Sequence, residues 1–294
     1  MSPHRQSAPA RISLEFFPPK TLNASFWLWE TMRELAPLEP SFVSVTYGAG
    51  GTTRQLTHQA VTTIGAHYGV TVAAHLTCVE ATREETMAIV DSYAAAGVRE
   101  IVALRGDPPQ GAGRFVPHPD GFASSVELVE AIAARGDMTI RVGAYPEAHP
   151  DSGGTAADVA WLKRKIDAGA TSAITQFFFR AETFFRFRDA CAAAGIDAPI
   201  IPGILPIQSW DGARRFAAQC GATVPANLDA AFTAAQRNGT EQLLATAVCT
   251  ELCDQLIRGG VEDLHFYTLN RSEMTRDVCT ALGLVPQLRL EAVA

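Results

Sequence analysis

Short apolar runs rich in β-branched and aromatic residues alternate along the chain with amphipathic stretches of Ala, Leu and Ile. The apolar runs are typical of buried strands, and apolar residues spaced three or four apart are typical of helices that cover a sheet. The pattern predicts eight strands, at residues 12–17, 42–47, 72–78, 101–105, 139–145, 172–179, 200–205 and 263–269. It predicts helices at residues 24–35, 55–68, 83–96, 124–134, 156–168, 183–194, 210–219, 241–258 and 272–282.

Residues at the ends of the predicted helices support this order. Side chains that cap helices are expected where helices begin, and glycines where they end. The expected caps are Asn23, Thr53, Thr82 and Thr155, and the expected terminators are Gly97, Gly169 and Gly195. Eight strands, each followed by a helix at a repeat of roughly 30 residues, predict a parallel (β/α)₈ or TIM barrel of the α/β class rather than a doubly wound sheet.

No Pro/Gly/Ser-rich linker divides the chain, so we expect one domain over residues 11–294, preceded by a disordered tail over residues 1–10. Two connections are longer than the usual 2–6 residues. The first, residues 107–121, follows strand 4 and is rich in Pro and Gly. The second, residues 220–240, is expected to hold an extra helix before the last strand.

Composition narrows the classes of partner. Hydrophobic residues make up 47% of the chain and charged residues 19%, which suits a large buried core. There is no apolar run near 18 residues, so no membrane span is expected. The net charge is −7 without a basic run, which argues against nucleic acid and favours a small-molecule partner. Six scattered cysteines favour reduced thiols and the cytoplasm.

Polar and titratable residues gather where the predicted strands end, which is where barrel enzymes carry their chemistry. They are Glu15, Thr46, Tyr47, His75, Thr77, Arg105, Asp107, Tyr145, His149, Gln176, Tyr267, Asn270 and Arg271. A Schiff-base aldolase would need a lysine within a strand, and none is there. The histidines are too widely spaced for a metal site, and the glycines at positions 48–51 match neither the Rossmann nor the P-loop pattern.

Glu15 is the strongest candidate for acid–base chemistry. Strand alternation places it on one face with Ser13 and Phe17. A carboxyl group among phenylalanines is costly to ionise, so we expect a raised pKa, which suits a general acid. The alternative is an inward glutamate paired with an arginine across the barrel.

The fifth predicted helix carries Asp158, Trp161, Arg164 and Lys165 on adjoining faces. Cations beside an aromatic ring are able to hold a pyrophosphate and an adenine. Taken alone, the same pattern also describes a solvated helix face.

Nine segments, in order, carry a resemblance to a known family. They read SLEFFPPKT at 13–21, VTYGAGG at 45–51, AHLTC at 74–78, ALRGDP at 103–108, AYPEAHP at 144–150, KIDAGA at 165–170, TQFFF at 175–179, PGILP at 202–206 and HFYTLNR at 265–271. Together they closely resemble bacterial methylenetetrahydrofolate reductase, from about residue 11 to 285.

The resemblance implies a barrel that holds non-covalent FAD. It implies that NADH or NADPH reduces the flavin and is replaced by 5,10-methylenetetrahydrofolate, which becomes 5-methyltetrahydrofolate in a ping-pong reaction. The FAD residues it implies are Thr46, Tyr47, Ala49, His75, Leu104, Arg105, Gly106, Asp107, Ala123, Tyr145, His149, Asp158, Arg164 and Lys165. The folate residues it implies are Glu15, Asp107, Gln176, Phe216 and Arg271. It also implies a homo-oligomer, a dimer or tetramer.

Within this resemblance, Glu15 would be the proton donor, and Asp107 would stabilise a cationic folate intermediate and oppose negative charge on the flavin. Three positions depart from the family pattern: Phe122 replaces a tyrosine, Trp161 a smaller polar residue and Gly212 a glutamine. These departures are expected to alter individual contacts with FAD and folate, and hence the affinities, but not the reaction. No regulatory domain is expected after the barrel, and hence no inhibition by adenosylmethionine. The alternatives are a flavin-free, phosphate-binding lyase or isomerase, and a folate- or flavin-binding module without turnover.

Overall fold

The computed structural model describes residues 10–48, 53–107 and 115–284. Its sheet is entirely parallel and follows the order β7-β6-β5-β4-β3-β2-β1-β9-β8. The strands are β1 Arg11–Phe16, β2 Phe42–Val45, β3 Val72–Thr77, β4 Glu100–Leu104, β5 Thr139–Ala144, β6 Ser172–Thr175, β7 Ile200–Ile201, β8 Gly203–Ile204 and β9 Asp263–Tyr267. The predicted tail, apart from Ala10, and the last ten residues lie outside the described residues.

The strands β7 and β8 are two halves of the one strand predicted at residues 200–205, and they close the barrel. The first half pairs with β6 and the second with β9. Pro202 stands between them and has no N–H to donate, so the ladder is interrupted there. Its carbonyl still accepts from His265 N at 3.0 Å. The predicted α/β barrel is therefore confirmed, with nine strand segments instead of eight strands.

Ten α-helices surround the described barrel: α1 Leu22–Leu35, α2 Arg54–Tyr68, α3 Arg83–Ala95, α4 Ser125–Ala133, α5 Thr155–Asp167, α6 Ala181–Ala193, α7 Trp210–Cys220, α8 Ala226–Asn238, α9 Glu241–Arg258 and α10 Glu273–Ala281. A short 3₁₀ turn, Ala36–Leu38, follows α1. Helix α8 is the extra helix predicted before the last strand. No helix in these described ranges is long and apolar enough to cross a membrane.

The predicted helix starts are partly correct. Thr82 caps α3 in a full capping box with Glu85. The cap predicted at Asn23 is wrong, because Thr21 accepts from Ala24 N and α1 begins two residues earlier than expected. Thr155 is the first residue of α5, and Gly154 before it has no side chain to cap the helix. The glycines at 97, 169 and 195 follow helix ends with positive φ, as expected.

Each predicted strand runs at least one residue past the observed end, and β6 and β9 show two reasons for this. The prediction for β6 ran to residue 179, but its neighbour β5 ends at Ala144, opposite Thr175, so the ladder stops there. The prediction for β9 ran to residue 269. Leu269 and Asn270 instead have φ of 53° and 54°, a left-handed backbone that cannot continue a strand.

Strand alternation divides the core into two layers. Most buried apolar residues lie between the strands and the helices. A smaller cluster, formed around Phe42, Val102, Ile174 and Ile201, fills the inside of the barrel. The inner layer also contains an ion pair between Arg141 and Glu100, 2.8 Å apart, with the Arg141 guanidinium 3.8 Å above the Phe42 ring.

Candidate active site

Glu15 projects into the barrel between two histidines from distant strands. Its Oε2 lies 3.3 Å from His75 Nε2 on β3 and 3.6 Å from His265 Nε2 on β9. The arginine partner considered from the sequence is absent among the described residues, since Arg141 is paired with Glu100. Phe16, on the opposite face of β1 as strand alternation predicts, points outward into the layer between strands and helices.

The expected rise in the pKa of Glu15 is wrong for this structure. Burial does act to raise the pKa, but the charges and hydrogen bonds of His75 and His265 outweigh it and lower the pKa of Glu15 to about 2. Burial lowers the pKa of His265, against the attraction of Glu15. Glu15 is therefore an anion at neutral pH when only these protein groups surround it.

The orientation of the His265 ring is set by its other nitrogen. Nδ1 lies 2.8 Å from Ser13 Oγ, and that hydroxyl is 3.3 Å from the Leu264 carbonyl, to which it donates. When the hydroxyl instead turns its one proton to Nδ1, Nε2 of neutral His265 carries the ring proton and faces Glu15 as a donor, which agrees with the hydrogen bond that lowers the pKa of Glu15. Phe42 stacks on the same ring at 5.6 Å. Glu15, His75 and His265 thus form one buried set of interacting titratable groups.

A separate cavity of about 380 Å³ opens at the carboxyl ends of β4 and β5. Eight of the predicted FAD residues line it: Leu104, Arg105, Gly106, Asp107, Tyr145, His149, Asp158 and Lys165. Ser125, Asp151 and Trp161 line it as well. Of these, Ser125 and Asp151 were missed from the sequence, because each lies in a helix start or loop without a recognisable spacing.

Lys165 is the buried cation of this cavity. Its side chain projects from α5, is 6% exposed and donates from Nζ to the Gly143 carbonyl. Burial lowers its pKa to about 8, although the charge of Asp158 acts in the opposite direction. An ammonium group so placed lacks a full counter-charge, and an anionic ligand in the cavity would supply one.

Two further features of the cavity suit a phosphate group and a flat ring. Helix α5 starts beside it at Gly154 without a side-chain cap, so its first N–H groups are available to an anion. Gly106 has φ of +85°, and a Cβ there would lie 2.5 Å from Val79 Cγ2. Only glycine therefore fits at this position of the cavity wall, because a side chain would clash with Val79 and Thr77.

The other charged residues of the cavity organise its loop. Asp158 Oδ2 accepts from His149 N at 2.9 Å and from Ser152 Oγ at 2.8 Å. Arg105 forms an ion pair of 3.0 Å with Asp151. Burial, and secondly the charge of Asp107, raises the pKa of Tyr145 to about 12. These contacts hold the 149–152 loop over the cavity.

Several predicted FAD residues lie elsewhere. Thr46, Tyr47 and His75 are at the ends of β2 and β3 but do not line the cavity. Arg164 is exposed and stacks on Trp161 at 4.5 Å. Ala123 donates its backbone N–H to Glu127, and Ala49 lies outside the described residues. Phe122 is buried beneath the Arg83 guanidinium.

Of the predicted folate residues, Asp107 lines the larger cavity and Arg271 lines a crevice beside α1. Phe216 belongs to a second, apolar cavity of about 300 Å³. Phe17, Leu269, Gly212 and Phe216 line it, and Phe216 stacks on the buried Phe177 at 5.1 Å. Gln176 ends β6, with its Oε1 accepting from Phe177 N at 2.9 Å.

Electrostatic effects connect the Glu15 cluster with the larger cavity. The pKa of Tyr267 is raised well above its usual value by burial, then by the charges of Glu15 and Tyr145. Asp107 acts in turn on Tyr145. The Tyr267 hydroxyl donates to Thr175 O at 2.6 Å, so it offers Glu15 no proton.

Comparison with known proteins identifies the family. The family model described as methylenetetrahydrofolate reductase matches residues 1–283. The chain belongs to this family. It is 44% identical over 278 residues to the 5,10-methylenetetrahydrofolate reductase of Salmonella typhimurium, a match that covers 94% of this chain and 92% of that protein. It is 37% identical over 292 residues to methylenetetrahydrofolate reductase (NADH) 1 of Arabidopsis thaliana, covering 95% of this chain and 49% of that protein.

A solved structure independently supports the barrel fold. A protein from Clostridium thermocellum, described as binding two copies of 5-methyl-5,6,7,8-tetrahydrofolic acid, superposes with a TM-score of 0.61 at 13% identity. The match covers 94% of this chain and 95% of that one. At this low identity the likeness shows the fold alone.

Proposed function

We propose that this protein is a flavin-dependent reductase that interconverts 5,10-methylenetetrahydrofolate and 5-methyltetrahydrofolate with NADH or NADPH. The observation that carries the proposal is the buried Glu15–His75–His265 cluster beside a cavity that contains the buried cation Lys165. Membership of the methylenetetrahydrofolate reductase family supports the same reaction. The name of the Arabidopsis relative favours NADH as the reductant.

The larger cavity fits FAD in the chemistry of its donors. Lys165, Arg105 and the uncapped start of α5 would hold the pyrophosphate, and the backbone of Gly106, which lines the cavity, would lie along the flavin ring. The resemblance adds Thr46, Tyr47, Ala49, His75, Ala123 and Arg164 to the proposed FAD residues. When bound, the flavin would supply a carrier for the hydride between the nicotinamide and the folate.

Glu15 would deliver the proton that the folate reaction requires. Opening the five-membered ring of methylenetetrahydrofolate needs a proton on the departing nitrogen. Because the low pKa makes Glu15 alone a poor donor, we assign the proton to the cluster as a whole. In that arrangement Glu15 faces the substrate, and His75 or His265 returns a proton to it.

Asp107 would stabilise the positive charge that ring opening creates on the folate. It stands at the end of β4, lines the larger cavity and is exposed in the absence of a ligand. A fixed carboxylate is suited to a developing cation. The same charge would disfavour electron density on a nearby flavin.

Gln176, Phe216 and Arg271 would orient the folate. The Gln176 amide can donate to the pterin edge, since its oxygen already accepts from Phe177 N. Phe216 lines the apolar cavity, which would take the p-aminobenzoyl ring. Arg271 would meet the carboxylates at the outer end of the substrate.

The test is to purify the protein, identify any bound flavin and measure initial rates with both substrates varied. FAD, oxidation of NADH dependent on methylenetetrahydrofolate, and parallel double-reciprocal lines are expected. A colourless protein that takes up no FAD would refute the proposal and favour a flavin-free lyase or isomerase. A yellow protein whose flavin is not bleached by NADH or NADPH would indicate a binding module without turnover.

A further inference from the structure

Trp27 exposes a large aromatic surface in the second turn of α1, beside the proposed folate residue Arg271. Its side chain is 55% exposed, and the Arg271 guanidinium carbon lies 5.6 Å from the centre of its rings. This distance is within the range of a cation–π contact. Trp27 and Arg271 also line one crevice, of about 310 Å³.

The position of Arg271 relative to α1 is fixed by bonds between the ends of β1 and β9. The Asn270 side chain accepts from Phe17 N at 2.8 Å and donates to Phe17 O at 3.0 Å. Thr268 Oγ1 donates to Glu15 O at 2.6 Å. The left-handed backbone at Leu269 and Asn270 then turns the chain so that Arg271 follows directly. The contact with Trp27 therefore rests on a rigid junction.

Arg271 keeps its donors for a ligand even though carboxylates are close. The Glu34 carboxylate forms ion pairs with Arg276, at 3.4 Å, and with Arg33, and it accepts a hydrogen bond from the Ser272 hydroxyl. The Glu30 carboxylate lies 3.9 Å from Arg33. Over the described ranges no carboxylate approaches the Arg271 guanidinium within 4 Å. A guanidinium that is stacked on a ring face still presents its N–H groups at its edge, where a carboxylate binds.

The neighbouring apolar cavity indicates which ligand carboxylate would bind Arg271. Phe17 and Leu269, on either side of the Asn270 junction, line the apolar cavity proposed for the p-aminobenzoyl ring. A folate that places this ring there carries its glutamyl carboxylates outward, toward Arg271. Folate is the only proposed substrate with an aromatic ring joined to such an anionic tail.

We propose that Trp27 is a positioning residue for the folate substrate: its indole holds the Arg271 guanidinium where that group binds a glutamyl carboxylate. This inference rests on the proposed function and deepens it. Trp27 does not touch the reacting atoms, so its effect is confined to the affinity for substrates that carry the glutamyl group.

The test compares 5,10-methylenetetrahydrofolate with 5,10-methylenetetrahydropteroate, which lacks the glutamyl group. With the folate, Trp27→Ala should raise KM about two- to five-fold, the change expected from an exposed cation–π contact, with kcat and the KM for NADH unchanged. With the pteroate, Trp27→Ala should equal the wild type. Trp27→Phe should retain most of the affinity, because it keeps an aromatic face.

Phe26→Ala is the matched control, since Phe26 is the adjacent, similarly exposed aromatic residue of α1 and forms no described contact with Arg271. It should leave both KM values unchanged. Provided that the wild type turns over methylenetetrahydrofolate, two results would overturn the inference. One is an unchanged KM for the folate in Trp27→Ala, and the other is an equal rise in KM for the folate and the pteroate. Failure of the wild type to turn over methylenetetrahydrofolate would instead refute the proposed function, and the inference with it.

Discussion

Replacing Lys165 by methionine tests the role given to the buried cation. Methionine has a similar length and no charge, so the variant removes the ammonium group and keeps the packing. Burial lowers the pKa of Lys165 from 10.5 to about 8. The unfolded chain therefore binds more protons than the folded one between these values, and the stability of the wild-type apoprotein rises with pH across that window.

The magnitude follows from the two pKa values. At roughly 1.4 kcal/mol per pH unit, the buried charge costs the folded apoprotein about 3 kcal/mol at pH 7 and under about 1 kcal/mol at pH 10. The lost hydrogen bond to Gly143 is independent of pH and cancels in the comparison. Between pH 7 and pH 10 the wild type should thus gain about 2.5 kcal/mol relative to Lys165→Met.

Urea unfolding of the two apoproteins at several pH values measures this difference. Lys163→Met is the matched control, because Lys163 lies on the same helix, pairs with Asp167 at the surface and does not line the cavity. The control should show no such pH dependence. In the wild type, the affinity for FAD should fall as pH rises through the same window. In Lys165→Met, the affinity for FAD should be weak and should not change with pH. A stability difference that stays constant from pH 7 to pH 10 would refute the reasoning.

Two other substitutions test separate parts of the site. Asp107→Asn should raise the reduction potential of the bound flavin and slow folate turnover by about 10²-fold, measured by spectroelectrochemistry and steady-state kinetics; an unchanged potential would contradict the electrostatic role. Gly203→Ala should destabilise the barrel by at least about 2 kcal/mol in chemical unfolding, because its Cβ would lie 2.1 Å from Thr175 O and 2.6 Å from the Tyr267 hydroxyl. Wild-type stability in this variant would show that the closure at β8 is less tightly packed than described.

The barrel could be predicted because strand alternation and helix periodicity are local properties of the sequence. Thr82 and its capping box illustrate this, since all partners lie within four residues. The strand ends could not be predicted as well. The early end of β6 depends on where its neighbour β5 stops, and the apolar sequence after Tyr267 conceals the left-handed turn at Leu269 and Asn270.

The residues that surround Glu15 could not be predicted from the sequence, for a related reason. Alternation correctly placed it inside the barrel, but the residues that face it come from strands about 60 and 250 positions away. His75 was a candidate for FAD, and His265 was seen only as part of a motif. Counting back two residues from Tyr267 along β9 would have placed His265 on the same inner face.

The most direct measurement of the central claim is stopped-flow absorbance of the two half-reactions in wild type and Glu15→Gln. Reduction of the flavin by NADH should remain within about threefold of wild type, because that step needs no proton from Glu15. Reoxidation by methylenetetrahydrofolate should slow by at least about 10²-fold. Reoxidation of the variant at the wild-type rate would contradict the account.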